Sequence, residues 1–384
     1  MLDFYRNKSA TVLEGDAIQK AVERVIDERT YYGSAGHPNV KKLEEALAER
    51  SDGRRALCVN SGTDALILAL KLLRVGPGDE VIVPAFSYVS TASCVSWIGA
   101  KPVFADICLD DYAVDPATIE ANITPKTKAI IVAHLFGQPA SGIEEIARIA
   151  KRRSLYLIED AAQSFGAQIE INGEGKPVGA IGDIGCLSFS STKPFAAPGN
   201  GGALILKDPA LWEEGDRMRF YGARVHHFDY PTVGVNCKMH DLQAAALLAK
   251  LPFFDYWLGH RRRIAALYTK ELAGIGDLVL PADIPGTERT WYRYVVRTSM
   301  CPALFEKIEK TAMGSSRLFQ LARNYPVPLP YFSIFRNSRH IPGDFPVADR
   351  VSQEAVPLPV TNDVTTKDAE RFACAVQEFF NTRM

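Results

Sequence analysis

Apolar and polar residues follow one pattern between about Gly53 and Lys207, where short continuous apolar runs are separated by segments with helical spacing. Runs without internal polar positions are typical of strands that are buried on both faces, as in a parallel sheet. The runs lie at 81–84, 102–106, 128–136, 155–160, 185–190 and 202–206, and helices are predicted between them, including 63–74 and 141–153. This alternation predicts an α/β fold with a large, mostly parallel sheet covered by helices on both faces.

The C-terminal part of the chain follows a different pattern. An amphipathic helix is predicted at 260–276, an aromatic-rich strand at 290–299 and a closing helix at 367–380, with a proline-rich segment at 325–360. These elements predict a second, smaller α/β domain. We therefore predict three parts: an N-terminal segment that packs with the small domain, a large domain and a small C-terminal domain, at 1–30, 31–250 and 251–384.

Charge and cysteine content exclude several classes of protein. The chain has 384 residues, with 44 Lys and Arg against 45 Asp and Glu, so it has no basic surplus for nucleic-acid binding. Seven scattered cysteines without CxxC spacing favour a reducing cytoplasm over a disulfide scaffold or a zinc site. His226 and His227 are adjacent and lack a third ligand at a useful spacing, so we expect no metal. No apolar stretch reaches the ~18 residues that cross a bilayer, and we expect no membrane association.

The segment NSGTDAL (60–66) opens a strongly apolar helix after a short predicted strand. Gly62 permits close backbone approach, and Thr63 offers a hydroxyl beside the free N–H groups of the helix N-terminus, which favour an anion such as a phosphate. The alternative is a plain helix cap, because Ser and Thr are common there for local reasons.

Two further segments place charged residues beside buried strands. The strand at 155–160 ends in Glu159 and Asp160, which either cap the next helix or face a ligand cation. Lys193 lies in a polar turn between the runs at 185–190 and 202–206, after several Ser and Thr residues. A desolvated lysine there can form a Schiff base, whereas the alternative is a solvated lysine at a strand turn.

Together these segments match the requirements of a pyridoxal phosphate site. Such a site needs a lysine, an acid against the pyridinium nitrogen, a phosphate cradle and a ring that stacks on the cofactor. Lys193, Asp160, the turn at 60–63 and Tyr88 supply one of each, with Ser188 for the phosphate and Gln163 for the ring hydroxyl. All lie at or just beyond predicted strand ends, where α/β sheets bind ligands.

The chain resembles the DegT/DnrJ/EryC1/StrS family of pyridoxal phosphate-dependent nucleotide-sugar aminotransferases, which have the aspartate-aminotransferase type of fold. The resemblance covers nearly the whole chain and is strongest in NSGTDALILAL, GDEVIVPAFSYVSTAS, LIEDAAQSFGA, the segment 188–193 and GVNCKMHDLQAA (234–245). It implies Lys193 as the Schiff-base lysine and Asp160 on the pyridine nitrogen. It further implies a cofactor-binding set of Gly62, Thr63, Tyr88, Gln163, Ser188 and Asn236.

The resemblance also implies substrates and an assembly. An amino acid, L-glutamate in the family, donates its amino group to a nucleotide-linked ketosugar, which is a C3 or C4 keto hexose or hexuronic acid on UDP or dTDP. Asn236 would reach the phosphate of the neighbouring subunit, so a homodimer with shared active sites is implied. Departures from the family pattern at Lys238 and at Arg323–Tyr325 concern the sugar, and we expect Lys238, Arg323 and Tyr325 to contact substrate.

Two alternatives remain at this point. A pyridoxamine phosphate-dependent sugar dehydratase of the same family would have His in place of Lys193. A non-catalytic, ligand-binding relative would be expected to lose Lys193 or Asp160.

Overall fold

The computed structural model describes residues 8–31, 37–223, 229–313 and 321–382. Its first nine strands are β1 (Arg55–Val59), β2 (Glu80–Pro84), β3 (Lys101–Ala105), β4 (Thr127–Ala133), β5 (Tyr156–Asp160), β6 (Gln168–Ile171), β7 (Glu174–Pro177), β8 (Ile184–Ser188) and β9 (Gly202–Leu206). Seven of them form one sheet in the order β1-β9-β8-β5-β4-β2-β3. β2 pairs in parallel with β3 and β4, as β5 does with β4 and β8, while β9 is antiparallel to β1 and β8. The predicted α/β fold with a mostly parallel sheet is confirmed.

Alternate residues of these strands contribute to two separate apolar cores, one on each face of the sheet. Val81 and Val83 of β2 pack into one core, and Ile82 between them packs into the other. Leu204 and Ile205 of β9 divide in the same way. Successive side chains of a strand point to opposite faces, so burial on both faces requires an apolar residue at every position. This explains the continuous apolar runs in the sequence.

Helices cover the sheet and form most of the C-terminal part. They are α1 (Lys8–Asp27), α2 (Pro38–Glu49), α3 (Gly62–Leu72), α4 (Ser90–Trp97), α5 (Pro116–Ala121), α6 (Ile143–Arg153), α7 (Pro209–Met218), α8 (Asp241–Lys250), α9 (Phe254–Leu272), α10 (Cys301–Met313), α11 (Pro346–Glu354) and α12 (Thr366–Asn381). A third apolar core lies among α9, α10 and α12 and a two-stranded antiparallel sheet of β11 (Tyr294–Arg297) and β12 (Ala355–Leu358). A further short strand, β10 (Thr287–Glu288), pairs with β6.

Helix α1 packs against α8 and against the start of α9. The Glu14 carboxylate accepts a hydrogen bond of 2.7 Å from the Trp257 indole and lies 3.7 Å from the Lys250 amine. The first helix therefore contacts elements on both sides of residue 250, and the domain limits at 30/31 and 250/251 stay predictions.

Several strands end together at one edge of the large sheet. Ala133, Asp160 and Ser188 are the last residues of β4, β5 and β8, and Ala133 is the register partner of Asp160. Ser188 pairs with Gly202, where the antiparallel β9 begins, and Gly202 also pairs with Val59 at the end of β1. The carboxyl ends of parallel strands are where sheets of this kind bind ligands.

Candidate active site

A pocket of about 760 Å³ opens at this edge of the sheet. Its wall includes the strand ends, the N-terminus of α3, the segment 292–293 and the residues Leu321, Ala322 and Asn324. It brings together seven residues expected from the sequence: Gly62, Thr63, Tyr88, Asp160, Gln163, Ser188 and Lys193. The pocket therefore contains the predicted amine, the predicted carboxylate and the predicted anion cradle.

The N-terminus of α3 forms one wall of the pocket. Ser61 caps the helix by accepting a 3.1 Å hydrogen bond from the Asp64 N–H, so the local capping role exists. The N–H groups of Gly62 and Thr63 have no hydrogen-bond partner among the described residues. Two free donors at a helix N-terminus favour an anion, so capping and anion binding coexist at this turn.

Two glycines let the strand ends approach this helix closely. A Cβ on Gly62 would lie 2.7 Å from the Ser188 Cβ, and a Cβ on Gly202 would lie 2.4 Å from the Ser61 carbonyl carbon. Real Cβ atoms do not come so close to other heavy atoms, so a side chain at either position would push β8 or β9 away from α3. The glycines thereby hold the Ser188 hydroxyl beside the free N–H groups.

Asp160 is 8% exposed and lines the pocket. Its carboxylate accepts hydrogen bonds from the Thr91 hydroxyl at 2.7 Å and from the Ala162 N–H at 3.2 Å. Thr91 in turn lies 2.9 Å from the Ser87 hydroxyl, and its own side chain is fully buried. This chain of hydrogen bonds orients the carboxylate at the pocket wall.

Glu159, the other carboxylate of the strand end, does not line the pocket. It is fully buried and accepts hydrogen bonds from the N–H groups of Gly179, Ile181 and Gly182 at 2.6 to 2.9 Å and contacts the His134 ring at 3.0 Å. Burial alone would raise the pKa of Glu159, but these hydrogen bonds and the imidazole outweigh it and lower the pKa. Glu159 is thus a structural anchor for the loop at 179–182.

His134 lies at the pocket wall, but both of its ring nitrogens already have partners. Its Nδ1 accepts a 3.0 Å hydrogen bond from the Ala140 N–H, which leaves the proton on Nε2, facing Glu159. The ring is therefore held as a neutral tautomer that donates to a buried carboxylate.

Lys193 is half-buried in the loop between β8 and β9. Its amine lies 4.8 Å from the ring centroid of Tyr292, which comes from the C-terminal part of the chain. Burial alone would raise the pKa of Tyr292, but the neighbouring Lys193 and Arg293 cations lower it. The lysine amine is thus located by a cation–π contact at the pocket, and not free in solvent.

Gln163 links the far wall of the pocket to the segment at 321–325. Its amide oxygen accepts a 2.7 Å hydrogen bond from the Phe136 N–H, and its amide nitrogen lies 3.3 Å from the Tyr325 hydroxyl. Burial raises the pKa of that hydroxyl, so Tyr325 is a neutral phenol here. Tyr88 is 54% exposed at the pocket and lies 6.4 Å from Tyr325 between ring centroids.

Four predicted site residues do not line the pocket: Asn236, Lys238, Arg323 and Tyr325, of which Tyr325 contacts Gln163 as described above. Asn236 is exposed, and its side-chain oxygen accepts a 2.6 Å hydrogen bond from the Lys238 amine, which lies 4.9 Å from the Phe220 ring centroid. Burial lowers the pKa of Lys238. Arg323 donates to the backbone carbonyls of Ser352 and Gln353, the first at 2.7 Å, and so holds the end of α11.

Sequence reasoning missed Thr91, Tyr292 and Arg293, which orient Asp160 or line the pocket. Tyr292 and Arg293 come just before β11, and their polar groups within the aromatic-rich segment 290–299 were the available signal. The hydroxyl of Thr91 carried no such signal, because Ser and Thr are common near helix starts.

Within the described ranges, no group of three or more His, Cys, Asp and Glu side chains could hold a metal ion. His226 and His227 lie outside those ranges. The helices of the same ranges include none that is both long and apolar enough to cross a membrane.

A sequence model of the DegT/DnrJ/EryC1/StrS aminotransferase family matches residues 13–377. A pleiotropic regulatory protein of Geobacillus stearothermophilus is 36% identical to the chain, over 89% of each sequence. The UDP-2-acetamido-2-deoxy-3-oxo-D-glucuronate aminotransferase of Pseudomonas aeruginosa is 34% identical, over 94% of this chain and 95% of the relative. The crystal structure of S. venezuelae DesV in complex with a ketimine intermediate superposes with a TM-score of 0.87 at 33% identity, covering 97% of this chain and 96% of that one.

Proposed function

This chain belongs to the DegT/DnrJ/EryC1/StrS aminotransferase family, and we propose that it transfers an amino group from L-glutamate to a nucleotide-linked ketosugar. It is a transaminase that depends on pyridoxal phosphate. The acceptor is a C3 or C4 keto hexose or hexuronic acid joined to UDP or dTDP. The observation that carries the proposal is the Lys193 amine and the Asp160 carboxylate in one pocket with an anion cradle.

The residues of the pocket fit the cofactor. The free N–H groups of Gly62 and Thr63 and the Ser188 hydroxyl suit a phosphate. The buried Asp160 carboxylate suits a protonated ring nitrogen, and Lys193 suits the aldehyde carbon. Gln163 and Tyr88 would contact the ring hydroxyl and the ring face. When bound, pyridoxal phosphate supplies an electron-withdrawing ring that makes the α-proton of the substrate acidic.

Lys193 and Asp160 have separate tasks in this proposal. As general base and then general acid, the Lys193 amine would take the proton from the substrate α-carbon and deliver it to the cofactor carbon that held the aldehyde, and in the second half-reaction it would move a proton the opposite way, onto the sugar carbon that receives the amine. The Tyr292 ring, 4.8 Å away, holds the amine at the pocket wall. The Asp160 carboxylate, which Thr91 orients, would stabilise the protonated ring nitrogen of the cofactor.

The predicted homodimer places Asn236 in the neighbouring subunit's site. In this chain Asn236 is exposed and lies outside the wall of its own pocket. Exposed apolar side chains lie nearby: Phe220 is the bridge partner of Asn236, Tyr221 follows Phe220, and Val235 precedes Asn236. Such a surface is typical of a contact between subunits, which supports a shared site. Lys238, beside Asn236, would then contact the partner's sugar, as Arg323 and Tyr325 would contact the chain's own.

We place the enzyme in the cytoplasm. All seven cysteines are free thiols, and five of them are buried: Cys58, Cys94, Cys186, Cys237 and Cys301. Burial raises the pKa of Cys94 and Cys186, which keeps these thiols protonated and unreactive. Seven unpaired thiols suit a reducing compartment.

The two alternatives make different use of the pocket. A dehydratase of this family would have His at position 193, but the chain has Lys there, at the pocket. A non-catalytic, ligand-binding relative would be expected to lose Lys193 or Asp160, and this chain has both at the pocket. The two residues together favour transamination.

The test is reduction of the holoenzyme with borohydride, followed by peptide mapping. The label should be found on Lys193, should be absent from Lys193→Ala and should persist in Lys207→Ala, which replaces an exposed lysine just after β9. The same preparation should convert L-glutamate to its keto acid and form an amine on a nucleotide-linked ketosugar. A label on another lysine, or water loss from the sugar without amine formation, would contradict the proposal.

A further inference from the structure

Arg293 lies at the pocket wall without an ionic partner in the described parts of the chain. Among the described residues three arginine side chains are buried, Arg261, Arg293 and Arg297, and Arg293 is 7% exposed. Arg261 donates to the Asn362 side chain at 2.7 Å and to the Val360 carbonyl at 3.0 Å, and Arg297 pairs with Glu354 at 2.9 Å. For Arg293 the contact found is with the Tyr292 ring, whose centroid lies 4.8 Å from its guanidinium carbon.

The guanidinium of Arg293 has no acceptor among the described residues, and its nitrogens are not among the buried polar atoms left unpaired there, so they are accessible from the pocket. The cation–π contact satisfies none of its five N–H donors in their plane. Asp110 borders a second, much smaller cavity together with Arg293, but no ion pair joins these two described side chains. The guanidinium is therefore available to an anion that enters the pocket.

The position of Arg293 is set by backbone contacts with the large sheet. Its N–H donates to the Phe136 carbonyl at 3.3 Å, and the nearby Thr290 donates through its N–H to Gly137 and through its hydroxyl to the Gln163 carbonyl, both at 3.0 Å. Gly137 has φ of +87°, and a Cβ there would lie 2.6 Å from the Tyr292 N. This close approach fixes Arg293 relative to the strand ends.

Charge at the pocket wall is arranged around the Tyr292 ring. The Lys193 amine and the Arg293 guanidinium each lie 4.8 Å from its centroid. Asp160 is the acidic residue of the wall, and its carboxylate already accepts from Thr91 and Ala162. Two cations thus share one aromatic ring, and the second of them has no role in the chemistry described above.

We propose that Arg293 binds a carboxylate of the substrate. The planar guanidinium forms two parallel hydrogen bonds with a carboxylate, which gives both affinity and orientation. The inference rests on the proposed function for the identity of the substrate: the carboxylate belongs either to the amino donor or to C6 of a hexuronic acid. In either case Arg293 holds the substrate on the same side of the pocket as the Lys193 amine.

The first test measures binding of glutarate, an unreactive dicarboxylate, to the holoenzyme by isothermal titration calorimetry. Arg293→Gln should raise the dissociation constant by roughly 10- to 100-fold, the range for a charge-assisted hydrogen bond. Arg293→Lys should lie between, because an ammonium cannot bind both oxygens in one plane. Arg263→Gln, which removes an exposed arginine of α9, is the matched control and should bind as the parent does. Parent binding no tighter than that of Arg293→Gln would overturn the proposal.

A second measurement needs no variant. Phenylglyoxal modifies accessible arginines, and glutarate should slow its reaction with Arg293 in the parent without slowing the reaction of Arg263. Equal rates at Arg293 with and without saturating glutarate would overturn the proposal even where Arg293→Gln did not fold.

Single-turnover kinetics then assign the carboxylate to its source. Arg293→Gln slows the half-reaction with L-glutamate if the donor carboxylate is bound, and slows reaction only with uronic nucleotide-sugar amines if the sugar carboxylate is bound. Unchanged rates in both arms would overturn the proposal. If the parent transaminated no substrate while glutarate binding still required Arg293, the proposed function would fail and the carboxylate site would stand.

Discussion

Replacing Asp160 by Asn should lower turnover while leaving the free energy of unfolding nearly unchanged. The adjacent Glu159 offers a matched control, because its replacement should do the opposite. Asp160 faces the pocket, whereas Glu159 is buried away from it. The amide side chain introduced by Asp160→Asn keeps the size of the carboxylate and can still accept from Thr91, so the free energy of unfolding should fall by only about 1 kcal/mol. The negative charge of the carboxylate, however, is lost.

The expected loss in turnover follows from that charge. Removing a preorganised electrostatic partner of the reacting system costs about 3 to 4 kcal/mol of transition-state stabilisation, or at least roughly 100-fold in turnover. Glu159→Gln has the opposite profile. Its amide oxygen can accept from only some of the four groups that now face the carboxylate, so the free energy of unfolding should fall by about 3 to 6 kcal/mol.

The assay is turnover per folded holoenzyme, measured beside urea unfolding for parent, Asp160→Asn and Glu159→Gln. We expect Asp160→Asn to lose turnover with near-parental stability, and Glu159→Gln to lose stability with turnover within a few-fold of the parent. Near-normal turnover in Asp160→Asn, or equal losses of turnover in both variants, would refute the assignment of roles.

Four further changes test other parts of the site. The pKa of Glu159 is lower in the folded state than in the unfolded state, so the ionised carboxylate stabilises the fold fully above the unfolded pKa of about 4.3, and this stabilisation is lost as pH falls through the lower folded pKa. The difference in unfolding free energy between the parent and Glu159→Gln should therefore shrink from pH 6 to pH 3. A constant difference would contradict this. Gly62→Ala should weaken pyridoxal phosphate binding at least about tenfold in fluorescence titrations, because its Cβ meets Ser188, whereas Gly76→Ala, with nothing within 4 Å, should not. Purified heterodimers of Asn236→Ala and Lys193→Ala chains should have about half of the parental activity if sites are shared, since one of their two sites is intact, and a random mixture of equal amounts should have about a quarter; heterodimers without activity would refute sharing. Lys238→Ala should slow the sugar half-reaction and leave the glutamate half unchanged, as should Arg323→Ala, with added destabilisation from its lost bonds to Ser352 and Gln353; equal damage to both halves would contradict a role in sugar binding.

Much of the fold could be predicted because the large sheet is buried on both faces. That burial forces continuous apolar runs in strands such as β2, β5 and β9, which a single sequence displays directly. The gathering of Gly62, Asp160 and Lys193 at one pocket also follows from the pattern, because residues at the carboxyl ends of neighbouring strands meet at one edge. Their chemical types then indicated the cofactor.

The sequence by itself did not separate the roles of Glu159 and Asp160. Adjacent side chains of a strand point to opposite faces, so one of them had to face away from the pocket, but the choice depended on the loop at 179–182 and on Thr91. Likewise the sequence did not show that the Arg323 guanidinium donates to the carbonyls of Ser352 and Gln353 at the end of α11.

The sequence alone determined the α/β class and supplied Lys193, Asp160 and Gly62 as candidates for the site, because these depend on local periodicity and on residue type at strand ends. Only the tertiary structure decided that Tyr292 and Arg293 join that site. They reach it because Gly137 allows residues more than 150 positions later in the chain to pack against its backbone, at 2.6 Å from where a Cβ would lie. A contact between segments so far apart in the chain leaves no periodic pattern in either segment, so the sequence does not show it and the folded structure does.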